Sequence, residues 1–214
     1  MLGELARRWQ AGRQLSRGWS DVSEDHGVIV LRIGDPERMV SYLAADEDLP
    51  YAAQLARDDE YPAGLSWLSV VTTETSRVLP RIQAEGLDYR RTEWLMTVAL
   101  DRQSVRRAPA PYAVEVELCG DWVVAAEVRA GDVVAASGQL VVIGKDAVAD
   151  LIWTEPEHRR QGLAGAMMSA LVEEARRAGA TTGLLAASRE GRALYSRLGW
   201  ETFAEILVAR TGVR

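Results

Sequence analysis

The residues whose types and spacing favour chemistry are concentrated in one short segment, residues 153–165, which reads WTEPEHRRQGLAG. Two adjacent arginines are followed by small residues at Gly162, Ala164 and Gly165. The first turn of a helix presents backbone N–H groups without internal partners, and the macrodipole adds positive potential there. A helix that begins here can therefore bind a diphosphate, and small side chains allow its close approach. The same letters also fit a strand end followed by a helix with small packing residues, so the segment must be judged in its context.

The pattern on either side indicates which elements position this segment. Residues 148–153 are rich in β-branched side chains and predict a strand that ends where the segment begins. After the segment, Leu163, Met167 and Leu171 recur with helical periodicity, and Gly179 supplies a C-terminal stop. Beyond this helix we predict a buried strand at residues 182–187, a short helix at 189–198 and a last strand at 202–210.

Upstream of the segment, the chain predicts an antiparallel meander. Three further runs rich in β-branched residues precede the strand at 148–153. Each is joined to the next by a short turn that contains a glycine, as tight hairpins require. The predicted order is therefore ββββ-α-β-α-β. The three runs are residues 112–118, 122–129 and 133–143, and the turns are 119–121, 130–132 and 144–146.

The N-terminal part predicts a separate α/β lobe. Residues 102–111 (RQSVRRAPAP) resist both helix and central strand because of their prolines. We therefore predict a lobe at 1–101, a linker at 102–111 and a second domain at 112–214. Helical spacing of apolar residues and Glu4 favour a plain first helix over a transit peptide. In the rest of the lobe we predict strands at 27–33, 65–72 and 92–100, and helices at 37–45 and 74–85.

The second domain resembles the GNAT superfamily of acetyl-CoA-dependent N-acetyltransferases. Members share a strand, an Arg/Gln-x-x-Gly-x-Gly/Ala loop, a long helix, a strand and a short helix with a Leu-Tyr-x-x-x-Gly-Phe type ending. Here those motifs read as residues 159–164 and 194–200 (LYSRLGW), in the same order. The resemblance implies a GNAT-like α/β fold with a mixed sheet. It also implies transfer of an acetyl group from acetyl-CoA to a primary amine by direct attack in a ternary complex.

The resemblance carries a set of donor-binding residues with it. Backbone N–H groups from Gln161 to Gly165 would hold the diphosphate, and the edge of the preceding strand would pair with the pantetheine arm. A backbone N–H near Trp153 or Thr154 would stabilise the oxyanion. The full set of expected acetyl-CoA contacts is Ile152, Trp153, Thr154, Arg159, Arg160, Gln161, Gly162, Leu163, Ala164, Gly165 and Ser188.

The catalytic residues are harder to choose. Tyr195 matches the general acid of the family, because a phenol can protonate the departing thiolate, although the same tyrosine also fits the core. The family uses different carboxylates or ordered water as base. Glu155 and Asp150 are candidates, as is Glu127, whereas His158 is expected to face solvent. A non-catalytic acyl-CoA-binding or regulatory module is the alternative function.

The chain departs from the family at one place. GNAT proteins usually have two helices between their first and second strands, and those helices wall the acceptor site; here only Gly120 and Asp121 separate residues 112–118 from 122–129. The wall must then come from the N-terminal lobe, whose strand-helix-strand at 65–100 echoes the C-terminal end and suggests a degenerate GNAT-like lobe. That lobe lacks the loop motif, so we expect one cofactor site.

Composition excludes several other classes. The net charge is −6 and no basic stripe is present, so a nucleic-acid partner is not expected. No run approaches the roughly 18 apolar residues of a membrane span. Cys119 is the only cysteine, which excludes an internal disulfide, disfavours a metal site and suggests a cytoplasmic location. The resemblance implies a small-molecule amine or a protein amino group as acceptor, and the sequence leaves a homodimer open.

Overall fold

The computed structural model describes residues 3–120 and 122–212, so the predicted turn residue Asp121 lies outside the described residues. The chain divides into two compact units. Within the described residues, the first unit comprises 3–7, 18–95 and 203–212, and the second comprises 8–17 and 96–202.

Five α-helices and eleven strands make up these units in the described part of the chain. The helices are α1 (Glu4–Ser16), α2 (Leu49–Asp58), α3 (Thr75–Ala84), α4 (Leu163–Arg177) and α5 (Arg189–Arg197). The strands are β1 (Val22–Asp25), β2 (Val28–Asp35), β3 (Arg38–Ala45), β4 (Ser66–Thr72), β5 (Leu87–Ala99), β6 (Ala113–Cys119), β7 (Val123–Ala130), β8 (Val133–Ile143), β9 (Asp146–Thr154), β10 (Thr182–Ala187) and β11 (Glu201–Thr211).

The first unit is a mixed sheet in the order β1-β2-β3-β4-β11-β5. Strands β1 to β3 are antiparallel neighbours, β3 and β4 are parallel, and β11 is antiparallel to β4. Apolar side chains of α2 and α3, among them Leu49, Val78 and Ile82, are fully buried in one core with Leu68 and Val70 of β4. Burial of this apolar area is the main favourable contribution to the unit's stability.

The described residues of 113–211 confirm the predicted meander and the order ββββ-α-β-α-β, although the last strand, β11, lies mostly in the first unit. Strands β6 to β9 pair antiparallel in sequence, and β10 then adds to β9 in parallel. The end of β5 lies beside β10. Helix α4 buries the predicted apolar residues Leu163, Met167 and Leu171, because a stripe at helical spacing must face the sheet.

One predicted element is wrong. Residues 37–45, predicted as a helix, form strand β3 (Arg38–Ala45) instead. Asp35-Pro36 does not start a helix but lies at the turn between β2 and β3, where Asp35 pairs with Arg38. Almost all of β3 is buried, and a strand covered on both faces loses the alternation that would have distinguished it from a helix. The helix that follows is α2 (Leu49–Asp58), which the sequence analysis did not predict.

The compact units follow a different division from the predicted 1–101, 102–111 and 112–214. Residues 8–16 of α1 and the following Arg17 belong to the second unit, whereas residues 203–211 of β11 belong to the first. Of the predicted linker 102–111, Arg102 ends a short 3-10 helix and residues 103–111 form neither helix nor strand, yet the whole segment lies within the second unit. Buried Gln103 anchors them, because its amide donates to the Met168 carbonyl and accepts from the Trp200 indole at 2.8 Å.

Candidate active site

The site begins where two parallel strands separate. The ladder between β9 and β10 covers four register pairs in the described chain, and the last of them joins Ala149 to Leu185. Strand β9 continues for five residues beyond that pair and β10 for two. The two facing edges are therefore open at their C-terminal ends, which is where a ligand can insert between parallel strands.

A break in β9 accompanies this opening. Leu151 has a φ of 57°, in the left-handed region that a residue with a Cβ rarely adopts. Beside it, the β8–β9 register shifts between Ser137 and Gln139. The end of β9 remains paired with β8, since Trp153 faces Ser137. Of residues 152–154, predicted to hold the pantetheine arm, Trp153 and Thr154 thus keep one edge paired with β8 and turn the other towards the opening.

The predicted anion-binding helix start has the expected form. Gly162 is the N-cap of α4 with a φ of 81°, and no side chain caps the helix. The N–H groups of the first turn, from residues 163–165, consequently lack intrahelical partners. A Cβ built on Gly162 would meet no atom within 4 Å, so the approach to this turn is open. An anion placed here accepts several N–H bonds and interacts favourably with the helix dipole.

The small residues of this turn do different things. A Cβ on Gly165 would lie 3.5 Å from the Cγ of Arg106 and 3.8 Å from Leu198. Gly165 is buried and faces the body of the unit, so the clearance expected there serves packing of α4. Clearance on the open side comes from Gly162, with half-buried Ala164 next to it.

The two arginines of the loop are also distinct. The guanidinium of Arg159 lies 4.8 Å from the ring centroid of Trp153, and its Nε donates to the carbonyl of Thr154 at 3.0 Å. Arg159 thus braces the end of β9 through a cation–π contact and a hydrogen bond. Arg160 is exposed with a φ of 65°. Neighbouring Gln161 is exposed as well.

Tyr195 of α5 is buried, and its ring centroid lies 6.0 Å from that of Trp200. Burial raises the pKa of its phenol, and the nearby charge of Asp150 raises it further. Both effects disfavour the phenolate, so the hydroxyl stays protonated at neutral pH. Tyr195 and Asp150 are therefore close enough to interact electrostatically.

Asp150 is engaged in a polar cluster. Arg17 donates to its carboxylate through Nε at 2.6 Å and through a terminal nitrogen at 2.9 Å, and the hydroxyl of Ser16 donates at 3.0 Å. Burial of the carboxylate opposes ionisation, but the bonds from Arg17 outweigh it and leave the pKa of Asp150 below its ordinary value. A carboxylate held in this way is a weak proton acceptor.

The other predicted polar residues lie on three different elements. Glu155 follows β9 directly, is half-buried, and donates its backbone N–H to the Ala135 carbonyl. The hydroxyl of Ser188 caps α5 by accepting from the Gly191 N–H at 3.1 Å. Glu127 forms an ion pair with Arg129 at 2.5 Å on β7.

Sequence reasoning missed several residues that shape the site. His158 was expected to face solvent, but its Nδ1 is hydrogen bonded to the hydroxyl of Tyr112 at 2.8 Å. Arg17 and Ser16 reach Asp150 from more than 130 residues away, and no local pattern signals that contact. Gly138 in the middle of β8 carried a signal, because an isolated strand glycine indicates a bulge or a close backbone approach.

Two surface cavities lie elsewhere, with volumes of about 340 and 250 Å³. Both are lined by residues at the C-terminal end of α4, including Arg177. A helix of 15 residues spans about 22 Å, so these cavities are remote from Gly162. The candidate site is therefore defined by the strand opening and the helix start.

Two further features of the described residues bear on the class of protein. No helix there combines the length and the apolar character needed to cross a membrane. No group of three or more His, Cys, Asp or Glu residues in the same part of the chain is arranged to hold a metal ion.

Comparison with known proteins bears on the family of part of the chain and on its fold. Residues 120–202 match the model of the acetyltransferase (GNAT) domain, and no curated protein sequence matches the chain. The fold is similar to that of a GCN5-related N-acetyltransferase from Kribbella flavida, with a TM-score of 0.66 and 19% identity over 99% of this chain and 96% of that one. The fold is also similar to that of a GCN5-related N-acetyltransferase from Sphaerobacter thermophilus. The TM-score is 0.65, with 13% identity over 97% of this chain and 91% of that one.

A tandem GNAT protein from the clavulanic acid biosynthesis pathway is also similar, with a TM-score of 0.59 and 12% identity over 87% of this chain and 78% of that one. These likenesses cover nearly the whole chain and agree with an arrangement of two GNAT-like lobes. Family and fold together support an acyl-transfer function. The similarity to the GNAT acetyltransferase domain thus covers residues 120–202 of this chain.

Proposed function

We propose that the protein is an N-acetyltransferase that transfers the acetyl group of acetyl-CoA to a primary amine by direct attack in a ternary complex. The observation that carries this proposal is the separation of β9 from β10 after the Ala149–Leu185 pair, which lies one loop before the uncapped start of α4. The two features together offer an anion site and a strand edge for an extended ligand with a diphosphate at one end and amides along its arm.

The donor fits residues that the chain presents. Backbone N–H groups of Gln161, Gly162, Leu163, Ala164 and Gly165 would bind the diphosphate, and exposed Arg160 would add positive charge. Amide groups of the pantetheine arm would extend the open edge of β9 at residues 152–154 in the manner of an added strand. Ser188 lies just after β10, on the opposite side of the opening, and would contact the same arm.

The reaction then requires an oxyanion donor, a proton donor for the thiolate and a proton acceptor for the amine. A backbone N–H near Trp153 or Thr154 would stabilise the negative charge on the thioester oxygen as the amine attacks, and such a donor contributes about 3 kcal/mol. The new C–N bond forms as the C–S bond breaks, and the electron pair of that bond goes to sulfur. Tyr195, kept protonated by its surroundings, would donate its proton to the departing thiolate.

The proton of the attacking amine needs a separate acceptor. Of the two predicted carboxylates, Asp150 is held by Arg17 and Ser16 and has a lowered pKa, which makes it a poor base. Glu155 is half-buried at the end of β9. We therefore favour Glu155, acting directly or through water, over Asp150.

A single donor site is part of the proposal. In the first unit, the parallel ladder of β3 and β4 continues to the Ala45–Val71 pair, at the end of β3. The following residues are Asp46, Glu47 and Asp48, and Asp46 accepts hydrogen bonds from Thr72 and Arg77. A closed ladder and an acidic helix start both disfavour a diphosphate there.

A turnover assay distinguishes an enzyme from a non-catalytic acyl-CoA-binding module. Release of free thiol from acetyl-CoA would be followed with a panel of small amines and lysine peptides, for the wild-type protein and for Tyr195→Phe. The proposal predicts amine-dependent thiol release that falls sharply in the variant. Tight acetyl-CoA binding without release for any amine would favour the non-catalytic module.

A further inference from the structure

The left-handed backbone at Leu151 needs support from its surroundings. A residue with a Cβ persists at a φ of 57° only where neighbouring contacts hold it, because the conformation is strained. In this protein the strained residue lies between the paired part of β9 and the open edge at residues 152–154. Contacts that stabilise the backbone of Leu151 therefore also position the proposed donor edge at residues 152–154.

The supporting contacts come from the first helix of the chain. Arg17 forms a two-pronged ion pair with Asp150, the residue before Leu151, and Ser16 donates to the same carboxylate. Across the sheet, the Nε2 of Gln139 donates to both the carbonyl and the hydroxyl of Ser16 at 2.7 Å. Gln139 is the register partner of Asp150 where the β8–β9 pairing shifts. These contacts connect Ser16, Arg17, Asp150 and Gln139 into one group next to Leu151.

The same helix carries a second ion pair that serves as an internal comparison. Arg8 contacts Asp146 through two nitrogens at the other end of the packed stretch, where β9 is still paired with β10. Between the two ion pairs, Gly12 packs directly on Val148. Helix α1 is thus anchored to β9 at several points, and the contacts of Ser16 and of the following Arg17 with Asp150 are located at the break.

We propose that Arg17 and Ser16 are positioning residues for the acetyl-CoA site. They fix Asp150, which keeps Leu151 left-handed and the open edge of residues 152–154 directed at the pantetheine arm. This inference rests on the proposed function. It gives α1 a role in donor binding, although α1 lies at the opposite end of the sequence from the GNAT motifs.

The test uses two ligands that occupy different parts of the proposed donor site. Acetyl-CoA spans the helix start and the β9 edge, whereas 3′-phospho-ADP carries only the nucleotide and diphosphate. Calorimetric titrations of both ligands would be made with wild-type protein, Arg17→Met and the control Arg8→Met. Thermal unfolding of each variant would show that it is folded at the temperature of titration.

The expected result is selective. Arg17→Met weakens acetyl-CoA binding about tenfold, because an edge that is no longer preorganised must be ordered on binding, and it leaves 3′-phospho-ADP binding unchanged. Arg8→Met leaves both affinities within about twofold of the wild-type values. Asp150→Asn, which preserves shape but removes the charge that binds Arg17, weakens acetyl-CoA in the same direction.

A rescue experiment separates positioning from general loss of structure. Glycine adopts a left-handed φ without strain, so Leu151→Gly removes the need for the support. In the double variant Arg17→Met/Leu151→Gly, acetyl-CoA affinity returns towards that of Leu151→Gly alone.

The inference would be overturned if Arg17→Met bound acetyl-CoA as the wild type does, if Arg8→Met weakened it equally, or if Leu151→Gly gave no rescue. Failure of the wild-type protein to bind either ligand would instead refute the proposed function, and the inference with it.

Discussion

Gly138 on β8 lies directly against Ile152 on β9: a Cβ at Gly138 would come within 2.5 Å of the Ile152 Cδ1 and 3.0 Å of the Met167 Cε. Absence of a side chain at one position thus allows the end of β9 to pack against β8 and α4. The close approach occurs where the register shifts and the donor edge begins.

Gly138→Ala is therefore expected to lower the free energy of unfolding by about 1–3 kcal/mol, as overpacking does, and to weaken acetyl-CoA binding. Denaturant unfolding and calorimetry measure the two effects. Gly3→Ala is the control, because a Cβ there meets no atom within 4 Å. Equal behaviour of the two variants would show that the packing at Gly138 is unimportant.

Two glycines of the α4 start should respond in opposite ways to alanine. Gly165→Ala adds a Cβ at ordinary contact distance inside a helix, so we expect a gain of about 0.5–1 kcal/mol in the free energy of unfolding and unchanged acetyl-CoA affinity. Gly162→Ala forces a Cβ into a left-handed backbone and should lose about 1–2 kcal/mol. Thermal unfolding combined with titration checks both. A loss of affinity in Gly165→Ala would mean that the Cβ position of this residue faces the donor and not the packed side of α4.

Tyr195→Phe is expected to reduce turnover by about 10²- to 10⁴-fold with little change in acetyl-CoA affinity, because the hydroxyl acts only as the thiol leaves. Tyr42→Phe is a matched control: Tyr42 is also buried, and its pKa is also raised, by burial and by Asp59. Its removal should affect stability and not turnover. Similar losses of turnover in both variants would argue against a specific role for Tyr195.

The same assignment predicts the alkaline behaviour of the wild-type enzyme. Since the pKa of Tyr195 is raised above the ordinary tyrosine value of about 10, its ionisation should not lower the rate below pH 10. A rate that declines with an apparent pKa near 9 and loses that decline in Tyr195→Phe would contradict this.

Asp150 should make stability depend on pH in the acid range. Its pKa is depressed in the folded protein, so its ion pair stabilises the fold above the unfolded value of about 3.9, and this stabilisation is lost as pH falls through the folded value. The difference in unfolding free energy between wild type and Asp150→Asn should therefore shrink between pH 6 and pH 3. A constant difference for Asp150→Asn would refute the depressed pKa.

Much of the second unit could be predicted from the sequence, because its signals are local. Strands β8 and β10 have the predicted limits, since glycine-containing turns and β-branched runs mark them. The N-cap at Gly162 follows from the change of periodicity at that residue. In contrast, β3 is buried on both faces and its pattern did not distinguish strand from helix.

The parts of the site that escaped prediction depend on contacts between distant residues. The left-handed residue in β9 is a leucine, which gives no signal, whereas a glycine would have suggested a break. The ion pair of Arg17 with Asp150 joins residues 133 positions apart and follows from the packing of α1 on β9. Neither feature can be read from local periodicity, so the arrangement of the donor edge required the structure.

Binding of acetyl-CoA at the start of α4 can be measured by titration calorimetry. Acetyl-CoA would be titrated into wild-type protein, Gly162→Glu and the control Gly131→Glu, whose glycine also has a positive φ and no atom within 4 Å of a Cβ. We predict micromolar binding by the wild type and by Gly131→Glu, and loss of binding in Gly162→Glu, whose carboxylate would repel and block the diphosphate. Equal binding by all three proteins, or binding by none, would show that the start of α4 is not the acetyl-CoA site.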